Sequence, residues 1–464
     1  MIDTSMLWPH QQATYDFGKD LPGLVDGSDP GSGKSLAHAK IIENHLENNK
    51  GTRALIVCPK TLVRSAWKQE FTTWLPNIDI ALAEAPEDSR IAAFESDAPV
   101  VVMNVDGLKW LAHQGKRWVN KQLGDNAVLV CDESHTLKNP TAQRTKAAIA
   151  ISKLFKKKHI ASGTIAPNSV TELWSQMMIV DGGVRLGKRY FPFRNLMQDQ
   201  IIKGRFSEWH DKPHAVDVVY GLLNGIVIRH SFDEVMKHVP SMDQRVVWYE
   251  LGPKHMDKYR TLERDAYIEH RGKVVNAVNA AALAGKLLQC ASGAIYSESD
   301  ERRREWTVFD SERYELIADL VEGREHCIVF WLWEHQRDEL QKIFDKRKIV
   351  YGKLDGSVTS AVKREQTVND LQEGKMKCLL MHPDTGAYGL TLTKATSVIY
   401  ASPVYEAKRK IQGDARVRRG MQDKVTESIV IIAKDTRDEI AYQVFSGKRD
   451  RLDALNNLFE NKDG

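Results

Sequence analysis

Short apolar, β-branched runs recur along this 464-residue chain, and they fall into two series. The first half carries Ala54–Pro59, Pro99–Asn104, Ala127–Glu133 and Lys158–Thr164; the second carries Cys327–Trp333, Lys377–Pro383, Thr396–Ser402 and Glu427–Ala433. Near-continuous apolar runs, bounded by turn residues and separated by amphipathic stretches, predict parallel strands covered by helices on both faces. Two such series predict two α/β lobes. Length alone allows about three domains or two large ones. Between roughly Gly182 and Arg304 the strand pattern thins and helix formers dominate, with helices expected over Asn276–Gln289 and Gly252–His270. Pro240, in KHVPSMDQ, marks the expected crossing. The reading is a first lobe over 1–240, with a helical protrusion near 180–225, and a second over 241–464, with a protrusion near 252–300. ERRRE (Glu301–Glu305) reads as a solvated loop.

Composition constrains the setting. A hydrophobic fraction of 42% and a charged fraction of 28% are those of a soluble globular chain. The formal net charge of +4 permits nucleic-acid binding without requiring it. Cys58, Cys131, Cys290, Cys327 and Cys378 form no CxxC pair and sit in apolar runs, which predicts reduced, buried thiols in a cytosolic protein. MIDTSMLWPHQQ has no basic start followed by an apolar stretch, and no run approaches the length of a membrane span. A cytoplasmic location without membrane contact is the expectation.

The sharpest local signal is Ser28-Asp29-Pro30-Gly31-Ser32-Gly33-Lys34-Ser35. Gly31 and Gly33 allow positive φ, so that successive N–H groups can face phosphate oxygens, and the helix beginning near Lys34 adds its positive end. Lys34 would reach the β- and γ-phosphates of ATP, and Ser35 would hold Mg²⁺ through its hydroxyl. A glycine-rich turn before an ordinary helix is the bland alternative. The strand ending Val-Cys131-Asp132-Glu133 argues against it, because a phosphate loop needs a carboxylate on a neighbouring strand end. Asp132 would bind Mg²⁺ and Glu133 would polarise the attacking water. Taken alone, those acids would read as a solvated turn. In the second half, Arg416 and Arg419 stand three apart on one face of an expected helix, with Gln412 one further turn before Arg416, and could serve as arginine fingers reaching the γ-phosphate when the lobes close.

These segments, in this order, resemble the SWI/SNF-type branch of superfamily 2 helicases. LWPHQQ is similar to the adenine-reading motif, which would give Gln11 the adenine contact. ALIVCPKTLVRSAWKQEFTTW (Ala54–Trp74) is similar to the second motif, and DESHTLKN to the DEAH-box segment with Ser134 in place of the usual alanine. SGTIAPNSVTELWS resembles the coupling motif, carried by Ser162, Gly163 and Thr164. VIRHSFDEVMKHVP resembles the lobe-crossing segment. KLDGSV, GAYGLTLTKATSVIY (with Gly389 in a coupling role) and QGDARVRRGMQ correspond to the later motifs. Two departures stand out: Ser28 replaces the first glycine of the common phosphate loop, and Ala415 an acidic residue of the arginine motif.

The resemblance implies tandem RecA-like lobes with parallel sheets and helical insertions between the third and fourth motifs. It also implies a DNA-dependent ATPase using ATP and Mg²⁺, generally moving 3′ to 5′ along one strand. Contacts to DNA phosphates would come from Pro59, Lys60, Thr61, Lys138 and Asn139 in the first lobe, and from Asp355, Gly356, Ser357, Thr385 and Gly386 in the second. Such contacts position a strand without reading its sequence. GRFSEW (Gly204–Trp209) and the short chain resemble compact forms found in tailed phages and in annealing or fork-remodelling members. That points to branched DNA, forks and Holliday junctions, worked on by a monomer in replication, recombination or repair, with proteins of those processes as partners. An RNA-directed motor and a non-catalytic DNA-structure binder remain the alternatives.

The basic run Lys153–His159 reads as a solvated helix end. Trp110, Trp118, Trp209, Trp331 and Trp333 read as core before they read as a strand-separating wedge.

Overall fold

The computed structural model describes residues 7–166, 168–203, 206–269, 277–296, 305–358, 360–386, 390–403 and 406–458. They form two compact units, one built on the chain to Lys203 with Ser207–Lys237, the other on His238–Arg449.

The first unit holds a seven-stranded sheet among the described residues. Its strands are β1 (Gly23–Asp26), β2 (Ala54–Cys58), β3 (Ile80–Ala83), β4 (Val100–Asn104), β5 (Val128–Asp132), β6 (Lys157–Ala161) and, after the hairpin β7 (Gln198–Lys203) and β8 (Phe206–Asp211), β9 (Val227–Ile228). The order is β3-β4-β2-β5-β6-β1-β9, parallel throughout. Every residue of β1, β2 and β4 is buried, as expected of strands covered on both faces. Helices α1 (Pro9–Gly18), α2 (Lys34–Asn48) and α3 (Gln69–Trp74) carry the site described below. In α2, Leu36, Ala37, Ala39, Ile41 and Ile42 recur at helical spacing and are buried.

The second unit is a six-stranded parallel sheet, again among the described residues, in the order β10-β17-β16-β13-β15-β14. These strands are β10 (Met242–Tyr249), β13 (Cys327–Phe330), β14 (Tyr351–Leu354), β15 (Cys378–Met381), β16 (Ser397–Tyr400) and β17 (Thr426–Ala433), with the small hairpin β11 (Ala294–Tyr296) and β12 (Trp306–Val308) beside them. Arg313 is fully buried and ties this unit together: it donates to Asp438, Ser402, Tyr249 and the Ala291 and Ala401 carbonyls.

All eight strands read from the sequence are present, and the helices of the middle region form as Pro253–Glu269 and Ala277–Ala291. The middle region is less helical than the sequence suggests. It contains the β7–β8 hairpin as well as β10, an edge strand whose mixed exposure hides it from a search for apolar runs. The basic run Lys153–His159 is also corrected: its last three residues enter β6, where Lys157 and His159 are buried. Part of the Glu301–Glu305 loop lies outside the described residues. All five cysteines are free and buried. Trp110 and Trp118 pack with Phe94 in the first core, and Trp209 lies 3.7 Å beneath the Arg194 guanidinium. No helix among the described residues is long and apolar enough to cross a membrane.

Candidate nucleotide site

Strand register brings the site's parts to one level. Asp26 ends β1, Asp132 ends β5, and both pair in register with Ala161 at the end of the intervening β6. The two carboxylates therefore leave the sheet about 10 Å apart, two strand spacings. The loops after them emerge at the carboxyl edge of a parallel sheet, where open α/β folds collect ligands.

The loop after β1 turns at Gly31 (φ 86°) and Gly33 (φ 78°), and Gly33 is the left-handed cap from which α2 starts. The first N–H groups of α2 have no carbonyl within their own helix to bond. Lys34 Nζ donates to the carbonyls of Ser28 (2.6 Å) and Asp29 (2.9 Å), which holds the ammonium over its own loop. Ser32 Oγ is buried without a hydrogen-bond partner in the structure. Left-handed glycines, helix-end N–H groups, an inward lysine and an orphaned hydroxyl form a donor set that fits phosphate oxygens.

Several side chains fix this loop. Ser28, the residue that departs from the common motif, accepts from His230 N through its hydroxyl, while its own N–H donates to Asp26. Asp29 turns away from the loop interior, pairing with Arg229 at 3.0 Å and accepting from Phe232 N. Gln11 Nε2 donates to the Gly33 carbonyl and its Oε1 accepts from Trp8 N. An adenine contact by Gln11 would require those bonds to exchange. Asp26 is fully buried: burial opposes its charge, yet the His38 hydrogen bond and charge, with Lys34 and Ser28, hold its carboxyl well below the usual range.

Opposite, the backbone at Glu133 is left-handed (φ 51°), a conformation that costs a non-glycine residue and is kept where surroundings enforce it. Burial raises the Asp132 carboxyl to about 6, helped by the Glu133 charge and opposed by Lys34 and by Trp67 Nε1, which donates at 3.0 Å. Glu133 Oε2 lies 3.1 Å from His135 Nδ1, and that nitrogen lies 2.8 Å from Ser162 Oγ. Ser162 thus reaches the Glu133 carboxylate both directly, its Oγ donating to Oε2 at 3.4 Å, and through His135. Ser134, where the resembling motif has alanine, donates to buried Gln176 at 2.6 Å. A Cβ on Gly163 would lie 2.5 Å from Pro30 Cδ, so the loop after β6 presses on the phosphate loop itself. Thr164 N donates to Ser162 Oγ. Ser35 Oγ donates to Glu70 Oε1 at 2.7 Å.

In the second unit the sequence expectation needs one correction. The helix Ala407–Val417 carries Gln412 and Arg416 but ends before Arg419, because Arg418 takes an extended conformation. Arg416 and Arg419 do not share a helix face. They nevertheless meet at one segment: Arg416 bonds the carbonyls of Gln412 and Leu390, and Arg419 bonds Thr391 Oγ1 and the Ala415 carbonyl. Gln412 is buried. A Cβ on Gly413 would fall 2.3 Å from the Tyr400 hydroxyl, so only glycine fits there.

The residues expected on DNA are a mixed set. Lys60, Asn139, Gly356 and Ser357 are exposed, and Pro59 and Thr61 half-buried. Lys138 pairs with Glu172 at 2.6 Å. Asp355 is buried and accepts from Ser357, making a turn rather than a surface contact. Thr385 and Gly386 belong to the short helical turn Pro383–Gly386, and Gly389 lies outside the described residues. Sequence reasoning missed Trp67, Glu70, Arg229 and His230. No local pattern in AWKQEF signals the first two, whose partners lie 65 and 35 residues away.

Residues 20–292 match the model of the SNF2-related domain, and residues 312–420 that of the helicase conserved C-terminal domain. Protein p41 of Acyrthosiphon pisum secondary endosymbiont phage 1 is 27% identical, over 96% of this chain and 97% of its own length. The SWI/SNF-related matrix-associated actin-dependent regulator of chromatin subfamily A-like protein 1 of Xenopus laevis is 25% identical over 95% of this chain. The match spans only 43% of that protein's length. Among solved structures, the Sulfolobus solfataricus SWI2/SNF2 ATPase core in complex with dsDNA is 18% identical and covers 97% of this chain and 93% of its own, at a TM-score of 0.43, too loose to carry an argument.

Proposed function

The chain belongs to the SNF2-related family and is an ATP hydrolase of the helicase type, and we propose that it spends Mg-ATP on moving along duplex DNA and remodelling branched DNA such as forks and Holliday junctions. The observation that carries the nucleotide half of this reading is the shared level of Asp26, Ala161 and Asp132, with Gly163 against Pro30. The phosphate loop, the acidic strand end and the Ser162 loop meet there within one unit.

In this reading the N–H groups from Gly31 to Ser35, with Ser32 Oγ and Lys34, hold the phosphates. Ser35 and Asp132 would hold Mg²⁺, which would neutralise charge on the phosphates. Glu133 orients the attacking water and accepts its proton, and His135 ties that carboxylate to Ser162. Thr164 and Gly389 complete the coupling segments. Gln11 and Gln412 are the further nucleotide-binding residues of this reading. Arg416 and Arg419 take the cationic role that developing phosphoryl charge requires, one worth ~10³–10⁵ in rate in comparable enzymes.

The DNA half rests on the exposed loop residues Lys60, Asn139, Gly356 and Ser357, suited to phosphate contacts without sequence readout. The preference for branched DNA rests on the resemblance of GRFSEW (Gly204–Trp209) to fork-remodelling members of the family. The experiment is ATP hydrolysis measured without nucleic acid and with plain duplex, forks, four-way junctions, single strands and RNA, together with conversion of labelled forks and junctions. Stimulation by DNA and conversion of branched substrates are expected. Equal stimulation by RNA would redirect the reading to an RNA motor, and no stimulation by any of them would remove it.

A further inference from the structure

The segment after β2 is a stretch of π-helix, Val63–Lys68, running into α3. Wide π turns are rare and recur at functional sites. Val63, Trp67 and Phe71 form its buried face. From that anchored face two side chains three residues apart reach different parts of the nucleotide site: Trp67 Nε1 donates to Asp132 Oδ2 at 3.0 Å, and Glu70 Oε1 accepts from Ser35 Oγ at 2.7 Å.

The polarity of these bonds matters. A serine hydroxyl has one proton and two acceptor lone pairs. When Glu70 takes the proton, both lone pairs of Ser35 Oγ are left for a cation, and the carboxylate makes that oxygen a better ligand. Asp132 is oriented from both sides, with Oδ2 bonded by Trp67 and Oδ1 by the Glu133 N–H at 2.9 Å. Mutating groups that orient metal ligands in this way typically costs about 10–100-fold in metal affinity.

We propose that Glu70, with Trp67 beside it, is a positioning residue for the divalent cation of this site: one rigid segment sets the rotamers of Ser35 and Asp132 before the cation arrives and adds a negative charge next to it. The inference rests on the nucleotide-site reading above. It assigns the Ala54–Trp74 segment a metal-side task in addition to the DNA contacts expected at Pro59–Thr61.

The test uses the full chain and a fluorescent ATP analogue, titrated first in EDTA and then with increasing Mg²⁺ at saturating nucleotide. For Glu70→Ala, affinity in EDTA and the thermal midpoint stay at the wild-type values, while the half-saturating Mg²⁺ concentration rises ~10–100-fold. Glu70→Gln keeps an acceptor without the charge and shifts less. Trp67→Phe removes only the indole N–H and shifts in the same direction. An unchanged Mg²⁺ requirement in both Glu70 variants overturns the proposal. So does an equal loss of affinity in EDTA, which would mark a merely structural contact. Wild-type protein that binds no nucleotide in either condition overturns the nucleotide-site reading itself, a result distinct from the other two.

Discussion

Gly163 and Pro30 are packed so closely that a methyl group on the glycine would sit 2.5 Å from the proline ring. Gly163 is not among the glycines with positive φ, so the backbone there would accept alanine and the obstacle is steric. A proline ring in a tight turn cannot swing aside as a long side chain can. Gly163→Ala should therefore displace the phosphate loop. Overpacking of this kind costs about 1–3 kcal/mol in stability. The expected signature is a kcat reduced far more than the denaturation midpoint, measured by ATPase assay beside urea unfolding. Full activity in Gly163→Ala would show that this contact does not constrain the loop.

Lys34 and Glu133 should fail differently. Lys34→Ala removes the ammonium now held by the Ser28 and Asp29 carbonyls, and with it the charge facing the phosphates. Nucleotide binding should weaken, visible by calorimetry. Glu133→Gln keeps the volume and the hydrogen bond to His135 but cannot accept a proton. Hydrolysis should fall ~10²–10⁴-fold, the range of general-base contributions, with nucleotide still bound. Both variants should retain DNA binding. Normal turnover by Glu133→Gln would assign the water-orienting role elsewhere.

Strands buried on both faces announced themselves as apolar runs, which is why β2, β4, β5, β6, β13, β15, β16 and β17 were legible. The strand β1 is only four residues, Gly23–Asp26, and β9 only two, Val227–Ile228; runs so short carry no periodicity. Met242–Tyr249 hid for the opposite reason, since an edge strand with polar exposed positions does not read as core. At the site, the phosphate loop and the acidic strand end were legible because their chemistry is contiguous in the chain. Glu70 meets Ser35 across 35 residues, and Arg229 meets Asp29 across 200, through contacts that no local pattern encodes. The helix end before Arg419 was hidden too, because ARVRRG places neither glycine nor proline at the residue that turns.

Two buried histidines set an acid limit on stability. Burial, then the charge of Arg313, pushes the His335 imidazole down to about 3, and burial, then His38 and Lys157, holds His159 well below its ordinary value. In the unfolded chain both titrate near 6.5. As pH falls through that value the unfolded state takes up protons that the folded state refuses, so stability falls with pH. The loss begins near pH 6.5 and continues toward the folded values, by up to about 1.4 kcal/mol per pH unit for each histidine. Asp26 acts in the same direction at lower pH: its depressed carboxyl stabilises the fold above the ordinary carboxylate range, and that stabilisation is lost only in stronger acid. Urea midpoints at pH 8, 6.5 and 5.5 should decline in that order, and His335→Phe should flatten the slope. A midpoint independent of pH over this range would contradict the buried neutral histidines.

Arg313 should matter more to the second unit than any surface ion pair. Its guanidinium is fully buried, 2.6 Å from Asp438 and 2.6 Å from Ser402 Oγ. Removing one member of a buried pair strands the other charge, at a cost of about 3–5 kcal/mol. Arg313→Met should lower the unfolding midpoint of the chain sharply, and Arg313→Lys should rescue little, because a single ammonium cannot reproduce five bonds in a fork. Replacing both partners with apolar residues should recover much of the loss, since an unpaired Asp438 is then no longer buried. If Arg313→Met alone were as stable as wild type, the pair would be dispensable to the packing of this unit.

Binding to DNA should be governed by salt and barely by sequence. The exposed candidates Lys60 and Asn139 offer phosphates one full charge and one amide, while Lys138 is held by Glu172 and must exchange that partner to contribute. A log–log plot of affinity against salt should be linear, with a slope of about −0.9 for each phosphate neutralised on duplex. Lys60→Ala should reduce that slope by about one unit and weaken all sequences alike. Glu172→Gln frees Lys138 from its carboxylate, so it should strengthen binding at low salt and steepen the slope. Fluorescence anisotropy on unrelated duplexes of equal length measures all of these, and an affinity that varied with base sequence but not with salt would contradict a backbone-tracking motor.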